Sequence, residues 1–215
     1  MRALPDRPKG AGNLSIAASD LLAAFRAYLE SLGDPIACDF RSEIGWSMPA
    51  RMLEPSRLAC LDCLDRAVDL APPAERRLLA LLARNRGELH WGQTYSAVDF
   101  GQSFLDNYGW VELFGTRGHF ANDVIAAGFL ILGPGIVYPD HHHIAEELYV
   151  PLTGGAEWRK GGGGFVARSA GEIIHHPSNV NHAMRTGLEP LAALYVWRGG
   201  PLAQKSTIAG AGIAG

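Results

Sequence analysis

The stretch over residues 135–154, GIVYPDHHHIAEELYVPLTG, places three consecutive histidines between glycines and just upstream of a pair of glutamates. Side chains on a β-strand alternate between its two faces. His141 and His143 therefore share one face, and His142 points to the opposite one. This alternation predicts that two of the three imidazoles face the interior of the fold.

The acidic and phenolic residues that follow obey the same alternation. Glu147 and Tyr149 are two residues apart and share a face, while Glu146 takes the other face. If Glu147 looks inward, Tyr149 lies beside it. The segment thus offers a carboxylate and a phenol to the site that the two imidazoles face.

A further ligand is expected from a distant strand. His182, flanked by apolar Val180 and Ala183, is the best candidate, and His175 and His176 are its competitors, of which one must face inward. We treat these two as neighbours of the site or as rim residues. Three neutral imidazoles and a carboxylate suit one divalent transition metal such as iron, zinc, manganese, cobalt or nickel. The predicted metal ligands are His141, His143, Glu147 and His182.

The composition is that of a globular protein with many turns. The chain has 215 residues, of which 47% are hydrophobic and 19% are charged. This length allows one good-sized hydrophobic core. The 26 glycines and 13 prolines indicate frequent turns and short strands, which favours a β-rich body.

The charge pattern excludes several classes of partner. The formal net charge is −3 and no run of lysine or arginine occurs, so the footprint of a protein that binds nucleic acid or an anionic membrane is missing. No apolar segment follows the basic N-terminus, and the longest apolar run, residues 124–132, is too short to span a bilayer. These features predict a cytoplasmic protein with a small-molecule partner. They leave the oligomeric state open, with a homodimer as one option.

The first part of the chain carries helical periodicity. Apolar residues recur at three- and four-residue steps over residues 14–32 and again over residues 55–70. A third helix is predicted to open at Pro72 and Pro73 and to stop before Gly87. Residues 1–95 are therefore expected to form a helical region packed on the rest of the molecule.

The period changes after this region. Eight short segments rich in β-branched and aromatic residues are bounded by glycine, proline or asparagine. They cover residues 110–114, 124–132, 147–152, 156–159, 165–168, 172–176, 182–185 and 191–198. Strands at this spacing, without helices between them, favour an antiparallel barrel or jelly roll. We expect the barrel and its metal site over residues 96–203, and a flexible tail over residues 204–215.

Two glycine-bounded motifs carry a family resemblance. Residues 135–154 match the first cupin motif, G-x5-H-x-H-x3-E-x6-G, at every specified position. The second motif, G-x5-P-x-G-x2-H-x3-N, is matched by Gly171, Pro177 and His182, whereas Asn179 replaces its second glycine and Thr186 its final asparagine. Asparagine tolerates the left-handed turn that glycine usually supplies. The resemblance implies a mainly β fold with α-helices: a cupin barrel, also called a double-stranded β-helix or jelly roll, preceded by an N-terminal helical region.

The surroundings of the first motif narrow the resemblance. The chain reads H-x-H-x-A-E-E-L-Y, has a tyrosine three residues before the first histidine, and ends its last strand in LYVWRGG. With the helical N-terminal half, this is similar to the cupin dimethylsulfoniopropionate (DMSP) lyases. Such a resemblance implies a metal-dependent carbon–sulfur lyase that splits zwitterionic DMSP into dimethyl sulfide and acrylate.

The aromatic residues near the motifs suit that reaction. Tyr149 is the first candidate for the base, since a nearby cation favours phenolate. Tyr138, which the resemblance places in the pocket, binds or orients the substrate, shares the base role, or is structural. Trp197 and Tyr195 share one face of the last strand, and an aromatic face suits a sulfonium cation. The resemblance sets Trp197 against the departing dimethyl sulfide, and an ordinary core role is its alternative.

Two other functions use the same ligand set, because a cupin fold by itself does not define an activity. An iron dioxygenase would bind oxygen at the three histidines and the glutamate and would need no basic tyrosine. A non-catalytic binding module would use the metal structurally or to hold a small carboxylate. Activity toward DMSP and the effect of removing the Tyr149 hydroxyl separate these alternatives from a lyase.

Overall fold

The computed structural model describes residues 16–209, and the N-terminal part of this range is mainly helical. Its six α-helices are α1 (Ile16–Ser31), α2 (Pro35–Ser42), α3 (Leu64–Leu70), α4 (Pro73–Asn85), α5 (Ala97–Phe100) and α6 (Gln102–Asp106). Two 3₁₀ segments, Ala59–Cys63 and Arg86–Glu88, precede α3 and follow α4. The predicted first and third helices correspond to α1 and α4, apart from residues 14 and 15, which lie outside the described range.

Two helical features differ from the prediction. A helix beginning at residue 55 is wrong, because residues 55–58 are not helical and a 3₁₀ segment leads into α3. Apolar residues three apart fit both helix types, so spacing alone does not separate them. Helix α2 was not predicted, although Asp34 caps its first turn and Pro35 opens it.

The C-terminal part of the described chain is built from strands. Residues 16–209 contain β1 (Trp91–Gly92), β2 (Tyr108–Gly115), β3 (Phe120–Ala121), β4 (Ile125–Leu132), β5 (Val137–His142), β6 (Glu146–Pro151), β7 (Glu157–Lys160), β8 (Val166–Ala167), β9 (Ile174–His176), β10 (His182–Arg185), β11 (Leu191–Arg198) and β12 (Thr207–Ile208). All eight predicted strands are present, with small shifts of their ends. Strand β5 was not among the eight predicted ranges. Its Pro139 and Asp140 are poor strand formers, and its two histidines have no strong preference for strands.

The strands form two sheets that pack face to face. One sheet has the order β1-β2-β4-β11-β6-β9, with β3 beside β2, and the other has the order β12-β5-β10-β7-β8. Every pairing is antiparallel except that of β2 with β3. An apolar cluster joins Leu130 and Tyr195 of the first sheet to Trp158 and Met184 of the second. The predicted cupin-type barrel with added helices is thus confirmed.

Strand β11 shows how the barrel and the helices share the first sheet. Ala193 and Tyr195 belong to the cluster between the sheets. Leu194 and Val196 belong to a second cluster, which includes the helices on the outer face. Because both faces are covered, the strand is an almost continuous apolar run instead of an alternating one.

Aromatic and polar contacts tie the helices to the barrel. The ring of Phe25 in α1 meets those of Phe114 in β2 and Phe129 in β4 edge-on, with centroids 5.6 and 5.5 Å apart. The guanidinium of Arg198 in β11 donates a hydrogen bond to Asp39 of α2 at 2.7 Å. Helices and sheet therefore share one packed interface.

The two departures from the second cupin motif have structural explanations. Asn179 has a φ of 60°, the left-handed geometry expected where glycine is replaced, and its N–H donates to the carbonyl of His143 at 2.8 Å. The hydroxyl of Thr186 donates to the carbonyl of Gly133 at 2.7 Å and accepts from the N–H of Ile136 at 2.9 Å. Asn179 thus holds a loop against the backbone of His143, and Thr186 holds the turn between β4 and β5.

The first and last strands of the described chain lie outside the range of residues 96–203 that we predicted for the barrel. Strand β1 lies before residue 95 and pairs with β2 after it, while α5 and α6 lie beyond that position, so the boundary stays a prediction. Thr207 and Ile208 pair with His142 and His141 of β5. The flexible tail predicted for residues 204–215 therefore excludes these two, and residues 210–215 lie outside the described range.

We expect Phe25→Ala to lower the free energy of unfolding by about 3–5 kcal/mol, because a fully buried ring at the helix–barrel interface is lost. Urea unfolding followed by circular dichroism and tryptophan fluorescence measures this. Leu188→Ala, at a position 94% exposed, is the control and should change the value by about 0.5 kcal/mol or less. Loss of helical signal well before the fluorescence change would contradict a single cooperative unit.

Candidate metal centre and active site

The four predicted ligand side chains converge inside the barrel. His141 on β5 lies directly opposite His182 on β10 in the second sheet. Glu147 comes from β6 in the first sheet, and His143 lies in the turn that joins β5 to β6. All four residues are at most 4% exposed. The two sheets thus supply the donors from opposite walls of one interior.

The backbone fixes the orientation of each imidazole. The Nδ1 atoms lie 2.7–2.9 Å from carbonyl oxygens two residues away: His141 from Pro139, His143 from Ala145 and His182 from Val180. A carbonyl oxygen only accepts, so Nδ1 carries the proton in each ring. The Nε2 lone pairs are then free to bind a metal, and this is the tautomer that such outer partners enforce.

Glu147 lies at the centre of the cluster. Its Oε2 atom is 3.0 Å from Nε2 of His143 and 3.2 Å from Nε2 of His182. Burial alone would raise the pKa of this carboxyl, but the adjacent His143 and hydrogen bonds hold the pKa well below its usual value. An ionised oxygen facing imidazole lone pairs needs a cation between them, either a proton or a metal ion.

The protonation states also fit a metal site. Burial and the neighbouring His182 ring lower the pKa of His141 well below its usual value, so this imidazole is neutral. Nε2 of His182 is buried without a hydrogen-bond partner. Neutral imidazoles and an ionised carboxylate are the forms that bind a divalent transition metal.

Trp197 contacts two of the ligand residues. Its indole N–H donates to Oε1 of Glu147 at 2.5 Å, across the β6–β11 pairing. Its ring lies against that of His143, with centroids 4.1 Å apart. The side chain also lines the cavity beside the cluster, so it can orient ligands as well as meet a substrate.

The two candidate base residues flank the cluster. Tyr149 is 5% exposed on the same face of β6 as Glu147 and pairs across the sheet with Tyr195 of β11. The ring of Tyr138 stacks on His141 with centroids 4.1 Å apart, and its hydroxyl lies 2.9 Å from that of Tyr95. Both phenols therefore border the site that the ligands form.

One cavity opens beside the cluster and is mainly aromatic. Its walls carry Tyr108, Trp110, Tyr138, Tyr149, Tyr195 and Trp197, together with the charged residues Glu112, Arg117 and Glu147. The ordered aromatic faces suit a small organic cation, while the acidic and basic groups lie at defined points of the wall. All four aromatic residues predicted for the site thus line this cavity.

The neighbours predicted to point outward do so. Nδ1 of His142 lies 2.9 Å from the side-chain oxygen of Asn181, away from the cluster. Glu146 accepts a hydrogen bond from Arg198 at 2.8 Å and lies 2.5 Å from the ring nitrogen of His175. The alternation argument therefore separated the inward residues from the outward ones.

Three cavity or cluster residues had no assigned role in the sequence. Glu112 is 2% exposed and lies against the guanidinium of Arg117 at 3.3 Å. Its place in the apolar strand β2 was the only available signal, since a charged residue there is unusual. His176, which we expected to be a neighbour of the site or a rim residue, is 1% exposed and stacks on His182 with centroids 4.0 Å apart. Alternation alone required one of His175 and His176 to face inward.

Comparisons with known proteins show the family to which the chain belongs. The family model for dimethylsulfoniopropionate lyases matches residues 43–193. DMSP lyase DddQ of Ruegeria pomeroyi is 31% identical over 153 residues, which cover 71% of this chain and 76% of that protein.

Solved structures give the same result over more of the chain. The crystal structure of DddQ from Ruegeria pomeroyi superposes with a TM-score of 0.83 at 29% identity, covering 91% of this chain and 97% of that one. A chain from the crystal structures of the DMSP lyases RdDddP and RnDddQII gives 0.84 at 28% identity, covering 92% and 100%. With the family model spanning most of the chain and the histidine–glutamate cluster in the barrel, this protein belongs to the dimethylsulfoniopropionate lyase family.

Proposed function

We propose that this protein cleaves DMSP into dimethyl sulfide and acrylate in the cavity beside the histidine–glutamate cluster. The observation that carries the proposal is a cluster of four buried ligand side chains beside a cavity that Glu147 and the phenol of Tyr149 both line. Membership of the DMSP lyase family supports the choice of substrate.

The proposed ligands of a divalent transition metal are His141, His143, Glu147 and His182. The Nδ1 contacts of the three histidines with backbone carbonyls and the short distances from Oε2 of Glu147 to two Nε2 atoms support this assignment. Iron, zinc, manganese, cobalt and nickel all accept such donors. A cation bound there would supply a Lewis acid that offsets negative charge on the substrate carboxylate.

The reaction is a β-elimination with a weakly acidic carbon. A base removes the proton from the carbon next to the carboxylate, and a carbon–carbon double bond forms. The carbon–sulfur bond breaks, and its electron pair leaves on sulfur as neutral dimethyl sulfide. The protein must therefore place a base beside this carbon and accommodate the sulfonium before it departs.

Tyr149 is the proposed base. Burial and the negative charge of Glu147 raise its pKa well above the usual value, so these neighbours alone keep the phenol protonated. The base role thus depends on positive charge bound next to the phenol. Tyr138, whose hydroxyl lies beside that of Tyr95, orients the substrate or shares the proton transfer.

Trp197 and Tyr195 are the proposed contacts of the sulfonium end. A sulfonium has no N–H or O–H donor, so aromatic faces stabilise it better than a directional hydrogen-bond acceptor does. Both side chains line the cavity next to Tyr149. Excluding water from this end favours release of an uncharged, apolar product.

The location and the assembly of the protein are separate predictions. In the described part of the chain, no helix is both long and apolar enough to cross a membrane. A cytoplasmic location and a homodimer stay predictions. Size-exclusion chromatography with light scattering tests the assembly.

We expect His143→Ala and Glu147→Ala to lose both bound metal and dimethyl sulfide release, because each removes a central donor of the cluster. Elemental analysis and headspace gas chromatography measure the two properties. His142→Ala is the matched control, since its ring points to Asn181, and it should keep the metal. Full metal stoichiometry in either ligand variant would refute the assignment.

We expect Tyr149→Phe to lower kcat for DMSP by about 100- to 10,000-fold while metal content stays unchanged, because only the proton-accepting oxygen is removed. The measurement is dimethyl sulfide release by metal-loaded protein. Tyr138→Phe run in parallel identifies which phenol is the base. Wild-type turnover by Tyr149→Phe would exclude Tyr149, and oxygen consumption without dimethyl sulfide release would favour a dioxygenase.

We expect Trp197→Ala to reduce kcat/KM for DMSP by about 10- to 100-fold, because both a cavity wall and the N–H that orients Glu147 disappear. Trp197→Phe keeps an aromatic face but not the N–H. If Trp197 acts mainly through its contact with the sulfonium, the Trp197→Phe variant should have the KM of the wild type. If it acts mainly by orienting Glu147, this variant should bind the metal more weakly. Unchanged kinetics of Trp197→Ala would remove this residue from the site.

A further inference from the structure

His176 is a buried imidazole for which the proposed mechanism has no role. It ends strand β9, directly opposite Glu147 on β6. The residue is 1% exposed, and neither ring nitrogen has a hydrogen-bond partner. Buried polar atoms are almost always satisfied, so two such atoms in one ring indicate a missing partner.

The ring points into the metal cluster. It stacks on His182, with centroids 4.0 Å apart and planes 21° apart, and its Nδ1 lies 3.9 Å from Oε2 of Glu147. Glu147, His176 and His182 form a group whose ligand atoms all lie within 4.8 Å of one another. A second such group consists of His141, His143 and His182. The two groups share His182 and together hold five donors.

The distances from Oε2 of Glu147 to three imidazole nitrogens suit a shared ion. Two ligand atoms that each lie about 2.1 Å from one ion are about 3.0 Å apart at a right angle and about 4.2 Å apart when opposite. Oε2 of Glu147 is 3.0 Å from His143, 3.2 Å from His182 and 3.9 Å from His176. All three values fall within this span.

The adjacent residue, His175, can be compared directly with His176. His175 points to the other face of β9, where its Nε2 lies 2.5 Å from Oε1 of Glu146 and its ring meets Phe40. His175 thus has a polar partner on the outer face of the strand, whereas His176 has no hydrogen-bond partner on the inner face. The following Pro177 favours the extended backbone that keeps this alternation.

We propose that His176 is a fifth protein donor of the metal site. This inference rests on the proposed metal-dependent function. Five protein donors exceed the four of a tetrahedral zinc site and suit a six-coordinate ion with one position left for substrate. A fifth donor would therefore lower the preference for zinc relative to a four-donor site, in favour of divalent manganese, iron, cobalt or nickel.

The test compares wild-type protein, His176→Leu, His176→Gln and the control His175→Leu, each loaded with cobalt(II). Visible absorption reports coordination geometry, and competition with a chromophoric chelator gives affinities for cobalt and zinc. Both His176 variants should show a more intense cobalt spectrum, which indicates fewer ligands. They should also bind cobalt about 10-fold more weakly or worse, with a smaller loss for zinc. His175→Leu should match the wild type.

Two results would overturn the proposal. One is a wild-type spectrum and wild-type affinities in His176→Leu. The other is full recovery of both in His176→Gln, because the amide can donate to Glu147 and such recovery would make His176 a positioning residue. Near-ultraviolet circular dichroism of the metal-free proteins checks folding, and His176→Gln decides the matter if the leucine variant does not fold.

The same experiment separates this inference from the proposed function. A wild-type protein that binds none of these metals would refute the metal site as a whole. A wild-type protein that binds cobalt and releases dimethyl sulfide, with His176 variants indistinguishable from it, would refute only the fifth donor.

Discussion

The buried, ionised carboxylate of Glu147 is the constraint on which the centre of the barrel depends. Moving a charge of this kind out of water is very costly unless opposite charge and hydrogen bonds compensate it. The indole N–H of Trp197 satisfies one oxygen, and the rings of His143 and His182 approach the other. These two rings direct lone pairs at the carboxylate, so its negative charge is balanced only when a cation lies between the rings and the carboxylate.

The sheets provide the rigid frame for this arrangement. Cross-strand pairing sets His141 opposite His182, and Glu147 opposite both Trp197 and His176. Backbone carbonyls then fix the tautomers of the ligand histidines. The helices cover the outer face of the first sheet, and the polar ligands lie on its inner face. Apolar packing on both faces keeps the strands in register.

The barrel and its ligands do not by themselves select a reaction, since many activities share them. The selective features are the phenols of Tyr138 and Tyr149 beside the cluster and the aromatic walls of the cavity. A cavity of this kind suits a small zwitterion that carries a carboxylate at one end and an onium group at the other. The buried carboxylate of Glu112, paired with the exposed guanidinium of Arg117, adds charge to one wall.

Much of this architecture follows from local sequence patterns. Alternation distinguished His141 and His143 from His142, and Glu147 from Glu146, because side-chain direction along a strand has a period of two. The turn at Asn179 was predicted because asparagine tolerates a positive φ. The alternation argument assumed an extended chain at the histidines, but no bounds were predicted for β5 and helix α2 was missed, since polar strands and short capped helices give weak periodic signals.

Residue spacing and turn chemistry were enough to predict which side chains face inward and which type of barrel they line. The contacts between distant groups became known from the folded structure: the indole of Trp197 on Glu147, Tyr138 on His141, and His176 on His182. Such contacts depend on strand order and register between segments far apart in the chain. No local pattern encodes these, since they are set by the packing of the two sheets as a whole.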